Sequence, residues 1–428
     1  MNNSDGQFMH YLVRRLFPIC RSLTGDGVRK TLAILGEYLP DLKVKEVPSG
    51  TQAFDWTVPN EWNIRDGYLI DPAGKKVIDF KNNNLHIVSY SESIDRTIGL
   101  KDLQSHLYSL PDMPDAIPYI TSYYNQSWGF CLTQKQRDSL ADGEYRAVID
   151  SSLKPGSLTY ADLIIHGECD REVLISTYVC HPSMANNELS GPVVSTMLAM
   201  YLSKQKNLRY TYRFVFVPET IGSIVYIQKN LNYLKEHVIA GFNVSCVGDD
   251  RSYSYLPSRL GNTLSDRVAT HVLKHIDPNY RTHGFLERGS DERQYCSVGV
   301  DLPIASIMRS KYGTYPEYHT SKDDLDLVTP MGLEGGLNAL RSCVSAIEVN
   351  RRYRCTQYCE PQMGKRGLYS ELGTRSISHA IRMRMDILCY CDGNHSLLDI
   401  AELIGCSIGE VYPFANELED YSLIERLD

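Results

Sequence analysis

Between residues 158 and 308 short apolar runs alternate with helical patterns, and this alternation constrains the fold more than any other feature. Residues 210–217 form a largely apolar run of the kind buried on both faces of a sheet. Helical spacing follows over 221–234, then a strand-like run over 238–247. Residues 189–202 and 302–308 add a further helix and a further strand. The runs 158–166 and 172–180 are separated by five residues, 167–171, and read as a hairpin. Helices alternating with strands predict an α/β fold with a mixed sheet flanked by helices. In such sheets ligands sit beyond the carboxyl ends of the strands.

The flanking segments differ in character. A chain of 428 residues is too long for one ordinary core. Helical patterns over 8–21 and 27–38 and a strand-like run over 42–47 open it. Residues 49–144 are rich in Tyr, Trp, Asn and short alternating runs, and Pro111, Pro114 and Pro118 interrupt any long helix. This stretch reads as a small inserted β-rich domain. Three helical patterns over 377–389, 396–404 and 407–420, then a strand-like 421–427, resemble a winged helix. The expected organisation is a discontinuous catalytic domain (1–48 and 145–355), the insert (49–144) and a winged-helix-like domain (360–428).

Charge and hydropathy exclude several partners. The net charge of −8 offers no broad attraction to nucleic acid or anionic lipid. Between 360 and 428, six Lys/Arg stand against twelve Asp/Glu, which argues against DNA binding by the winged-helix-like tail. No segment reaches the ~18 uncharged apolar residues a membrane span needs. Twelve scattered cysteines without an export-type leader predict reduced thiols and a soluble, cytoplasmic protein.

Polar residues collect where the expected strands end. One run leads into His181 and then Asn187 and Glu188; the next into Glu219 and Thr220; the next into Asp249 and Asp250; the last towards Tyr318 and His319. Imidazoles and carboxylates at one sheet edge suit zinc with an open position for water. A carboxylate not spent on metal can take a proton from that water and hand it to a leaving amine. Singly, each has a plainer role: Glu219 could complement a helix dipole, and His181 could be a hydrogen-bonded loop residue. Arg293 could bind a substrate carboxylate or pair with Asp291 or Glu292. Arg21, Ser22 and Thr24 suit a site-facing turn, with simple helix capping the favoured reading.

The phrases Cys180-His181-Pro182-Ser183, Pro218-Glu219-Thr220-Ile221-Gly222-Ser223, Gly289-Ser290-Asp291-Glu292-Arg293 and Glu317-Tyr318-His319-Thr320-Ser321 carry a specific likeness. The chain resembles the zinc-dependent aminopeptidases, the co-catalytic di-zinc exopeptidases. More closely, it is similar to a bacterial family of aminopeptidase-like proteins with an inserted protease-associated-like domain and a C-terminal winged helix, often linked to surface-polysaccharide gene clusters. The resemblance implies His181, Asp249 (with Asp250 its rival) and His319 as metal ligands, Glu219 as the catalytic carboxylate, and Tyr318 as an oxyanion donor.

Two positions depart from that pattern. Asn187 stands where the superfamily has a metal-bridging aspartate, and Thr220 where it has a ligating glutamate. Two dications close together need anionic ligands, so one zinc is expected rather than two, with Glu188 or Asp291 available to supply a missing carboxylate. The expected function is a zinc-dependent amide hydrolase acting on a small peptide or an N-acylated metabolite, with no nucleic-acid or membrane partner and homo-oligomerisation left open. The alternative is a non-catalytic or regulatory protein that keeps the fold with a degenerate metal site.

Overall fold

The computed structural model describes residues 4–368 and 378–427. The chain forms two compact units, Met1–Asp266 with Tyr280–Asn338, and Arg267–Asn279 with Ala339–Asp428. No helix among the described residues is long and apolar enough to cross a membrane.

The first unit is built on an eight-stranded mixed sheet. Its order is Lys43–Pro48, Ser157–Ile165, Thr211–Val217, Glu172–Tyr178, Val238–Asn243, Ile304–Met308, Ser254–Leu256 and Arg281–Thr282. The four strands from Thr211–Val217 to Ile304–Met308 run parallel. Every residue of Glu172–Tyr178 and Thr211–Val217 is buried, as expected of strands covered on both faces.

The hairpin expected from the sequence does not form. Ser157–Ile165 pairs antiparallel with Thr211–Val217, which lies between it and Glu172–Tyr178. A buried ion pair requires that neighbour. Arg213 donates to both oxygens of Glu172, at 2.5 and 2.8 Å, and a buried guanidinium is costly without such a partner. The Tyr233 hydroxyl donates to Glu172 at 2.9 Å, and Arg213 Nη1 donates to the Tyr226 hydroxyl at 3.1 Å.

The helices Ser190–Leu202 and Ile221–His237 make the two central crossovers. The first leads from Glu172–Tyr178 to its neighbour on one side, and the second carries the chain back past it to Val238–Asn243. Right-handed crossovers in opposite directions place their helices on opposite faces and open a crevice between the strand ends. His181 follows one of those ends and Glu219 the other.

The β-rich insert folds as an antiparallel sheet in the order Lys76–Asp79, Glu61–Ile70, Glu144–Lys154, Ile94–Gly99. It runs past the boundary expected at residue 144, because Glu144–Lys154 alternates buried and less buried positions and fills the middle of the sheet. Leu69, Ile78, Trp128, Phe130, Tyr145 and Ile149 give it a core of its own.

In the second unit Arg352–Cys355 pairs with Asp392–Ser396 and Ile424–Arg426, beside the helices His379–Tyr390, Leu397–Ile404 and Ile408–Asp420. Capping boxes at Ser396 with Asp399 and at Ser407 with Glu410 start the last two helices. The first helix was expected from Ile377, which lies outside the described residues. His271 donates through Nδ1 to Glu402, and its Nε2 accepts the backbone N–H of Ile408 at 2.9 Å.

Candidate active site

The site is built where the two fully buried strands end. The Val179 amide still bonds Val217 O at 2.9 Å, and the Glu219 amide donates to Cys180 Sγ at 3.2 Å, so the loops leave the sheet side by side. Thr220 then sits at φ 66°, ψ −80°, with the Ile221 amide bonded to Glu219 O at 2.9 Å. This is a strained left-handed γ-turn on a β-branched residue. It is held by the Thr220 amide donating to Asp291 Oδ1 at 2.8 Å. Strain of this kind persists only when the surroundings over-determine it, and here it turns the chain sharply just after Glu219.

His181, Glu219, Tyr318 and His319 line one cleft of about 450 Å³. The His181 and His319 ring centroids are 5.5 Å apart, and Tyr119 stands edge-on to both at 5.2 Å. His181 Nδ1 bonds Glu188 Oε2 at 3.0 Å, while Nε2 lies 3.7 Å from Glu219 Oε2. A carboxylate on Nδ1 fixes the tautomer and leaves Nε2 as the acceptor nitrogen. Burial lowers the His181 pKa, but Glu188 and Glu219 outweigh it and hold the ring above its ordinary value. Burial and the charge of His181 push His319 down to about 3, so it is neutral. Tyr318 stacks on His319 at 3.9 Å between centroids.

The insert closes this site. The Tyr119 amide bonds His319 O at 2.9 Å, the Ser321 amide bonds Ile117 O at 2.8 Å, and Ser321 Oγ accepts the Ile117 amide at 2.9 Å. His319 itself lies at φ 55°, shaped by that clamp. Tyr119, Tyr123, Tyr124 and Trp56 come from the same insert and form an aromatic wall. The sequence reading missed all four, since nothing near them in the chain marks them as facing His181.

The expected ligand trio is not assembled. Among the described residues, Cys180, His181 and Glu188 form the one group of three candidate ligands with donor atoms within 4.8 Å of one another. Asp249 is engaged elsewhere. Asn186 Nδ2 and the Ser310 amide donate to Oδ2 at 3.0 and 2.9 Å, and Ser310 Oγ and the Arg251 amide donate to Oδ1 at 2.8 and 3.0 Å. Its rival Asp250 accepts from Thr329 Oγ1 at 2.6 Å and is exposed. Asn187 is pinned too: its Nδ2 donates to the Tyr178 hydroxyl at 2.7 Å, and its Oδ1 is buried without a partner.

Glu188 sits behind His181, facing the wholly buried Arg21 at 3.4 Å. Arg21 Nε also donates to His181 O at 2.9 Å, so Arg21 is a support beneath the site rather than a helix cap. Asp291 spends Oδ1 on the Thr220 amide and on Ser223 Oγ at 2.8 Å, and burial with the nearby charge of Glu219 pushes its carboxyl up to about 7. Arg293 pairs with neither Asp291 nor Glu292 and donates to Thr220 Oγ1 at 2.7 Å. Glu292 takes up the Gly289 amide, the Tyr312 hydroxyl and Asn243 Nδ2 at 2.9, 2.7 and 2.9 Å. In donor type the cleft suits zinc: two imidazoles, His181 and neutral His319, face it with the Glu219 carboxylate.

Comparisons with known proteins agree with this architecture. Residues 10–350 match the family described as a domain of unknown function, DUF4910, and residues 351–426 match a winged helix-turn-helix family. A Clostridium acetobutylicum protein named for polysaccharide biosynthesis, with an aminopeptidase-like domain, is 44% identical over 99% of this chain and 98% of its own. A crystal structure from the same organism, named as a peptidase, superposes with a TM-score of 0.93 at 43% identity, covering 99% of this chain and 96% of that one. The zinc aminopeptidase BSAP of Bacillus subtilis shares the fold, with a TM-score of 0.55 at 12% identity over 80% of this chain and 94% of its own. The chain belongs to the DUF4910 family, as an aminopeptidase-like fold that carries a winged helix in its C-terminal part.

Proposed function

We propose that the cleft hydrolyses an amide bond in a small peptide or an N-acylated metabolite. The observation that carries this is the convergence of His181, Glu219, Tyr318 and His319 on one enclosed surface at the carboxyl ends of the sheet. Glu219 takes the proton of the attacking water and returns it to the leaving nitrogen. The Tyr318 hydroxyl donates to the oxygen on which negative charge develops. Glu188 keeps His181 oriented, and the insert, through Tyr119, closes over both imidazoles. His181 and His319 would hold one zinc ion, which supplies Lewis acidity when bound. The naming of the 44%-identical relative for polysaccharide biosynthesis supports an amino-sugar amide as one substrate class.

Zinc-loaded protein assayed on aminoacyl amides and N-acyl sugars is expected to turn over one class. Glu219→Gln should lower kcat by about 100-fold to 10,000-fold while the zinc content stays unchanged. Activity retained in Glu219→Gln, or no turnover by the loaded wild type on either class, refutes the reading. One observation favours a second reading, in which the fold persists without catalysis: both Asp249 oxygens are saturated by Asn186, Ser310 and Arg251. Elemental analysis that finds no zinc after loading supports that alternative.

A further inference from the structure

Arg293 lines the cleft as a cation that forms no ion pair among the described residues. Its guanidinium makes one hydrogen bond, to Thr220 Oγ1, and its Nε is buried with no acceptor. Of the two carboxylates beside it in sequence, Glu292 is committed to other donors, and Asp291 spends Oδ1 on Thr220 and Ser223 and makes no ion pair with Arg293. Glu219 feels its charge across the cleft without forming an ion pair with it. Thr220 is itself locked by the γ-turn and by Asp291, so the Arg293 fork is held by a rigid partner. The aromatic wall of the insert lines the same cleft. Trp56 and Tyr124 rings are 6.0 Å apart, and the Tyr119 and Tyr123 hydroxyls are hydrogen-bonded to each other at 2.9 Å.

Resting on the cleft being the substrate site, we propose that Arg293 is a specificity-determining residue that binds a carboxylate of the substrate, while the aromatic wall takes its ring or apolar body. A planar guanidinium with unsatisfied N–H groups binds a carboxylate through charge-assisted, often bidentate, hydrogen bonds. Aromatic rings in the same cleft accept an apolar side chain or the C–H face of a sugar. The carboxylate belongs either to a peptide C-terminus or to a sugar acid, and the two sources are separable by experiment.

Binding is measured by calorimetry on the full chain with two matched pairs: N-acetyl-phenylalanine against its amide, and glucuronate against glucose. The carboxylate member of at least one pair should bind about tenfold or more tightly than its neutral partner. The pair that discriminates identifies the source. Arg293→Gln should abolish that preference without weakening the neutral partner. Arg293→Lys, which keeps charge but loses the fork, should retain a reduced one. Equal binding within both pairs, no binding of either carboxylate at millimolar concentration, or a preference that survives Arg293→Gln overturns the assignment. If Arg293→Gln does not fold, the wild-type preference and its reduction in Arg293→Lys decide the matter. No turnover is involved, so a cleft that prefers carboxylates yet hydrolyses nothing would overturn the hydrolase reading and leave Arg293 in its role.

Discussion

The Glu172–Arg213 pair allows the stability of the first unit to be tested at the end of the sheet away from the cleft. Their side chains are 1% and 7% exposed, and two hydrogen bonds at 2.5 and 2.8 Å join them. Glu172→Gln keeps the shape but leaves a buried guanidinium with the Tyr226 hydroxyl and a neutral amide. Breaking a buried pair in this way should cost about 3–5 kcal/mol. Replacing both residues by methionine removes the stranded charge along with its partner, so Glu172→Met/Arg213→Met should fall within about 2 kcal/mol of the wild type. The three tryptophans, Trp56, Trp62 and Trp128, all lie in the first unit, so urea unfolding followed by tryptophan fluorescence reports that unit alone. A Glu172→Gln loss under about 1 kcal/mol, or a double variant less stable than the single one, would refute the reasoning.

The second unit should weaken in mild acid. Burial lowers the His271 pKa below its ordinary 6.5, against the opposing pull of Glu402, and Nε2 must stay unprotonated to accept the Ile408 N–H. The unfolded chain therefore binds a proton near pH 6.5 that the folded unit takes up only at lower pH, so this contribution is complete above 6.5 and is lost below it. Hydrogen exchange at Ile408, corrected for intrinsic rate, should show less protection at about pH 5 than at about pH 7.5; equal protection would exclude the neutral-histidine tether. Two glycine substitutions should act in opposite directions. A Cβ at Gly191 would lie 2.3 Å from Val244 O, so Gly191→Ala should cost about 1–3 kcal/mol, whereas Gly36 has nothing within 4 Å and Gly36→Ala should stabilise by about 0.5–1 kcal/mol. The same fluorescence titration reads both, and matching signs would contradict the packing described.

The central strands were legible because burial on both faces demands near-continuous apolar runs, and 210–217 reads that way without help. Pairing was harder. A five-residue link between two runs suggests a hairpin, and only the need of Arg213 for a buried partner reveals that another strand lies between them. At the site, His181, Glu219, Tyr318 and His319 could be picked out because each comes after an expected strand and together they bring imidazoles and a carboxylate to one sheet edge. Asp249 carried the same mark, but no local pattern betrays that the amide of Ser310, far along the chain, takes its lone pairs. Nothing in the sequence marks Cys180 as a candidate ligand, since a strand-end thiol usually packs as a small apolar side chain. The wall of Tyr119, Tyr123 and Trp56 left no trace, since its facing depends on how the insert docks.

That docking has a consequence for how such a protein can change. Glu219 and His181 follow strands of the sheet, whereas the rings that line the cleft come from the inserted segment, where Tyr119 and Tyr123 pack against clusters shared with the rest of the first unit. Exchanging or rebuilding that segment would reshape the wall of the cleft and disturb His319, whose backbone it clamps, while His181 and Glu219 stay where the strands put them. The aromatic wall of the cleft and the two strand-end groups are thus written in separate stretches of the chain, and one can drift while the other is held.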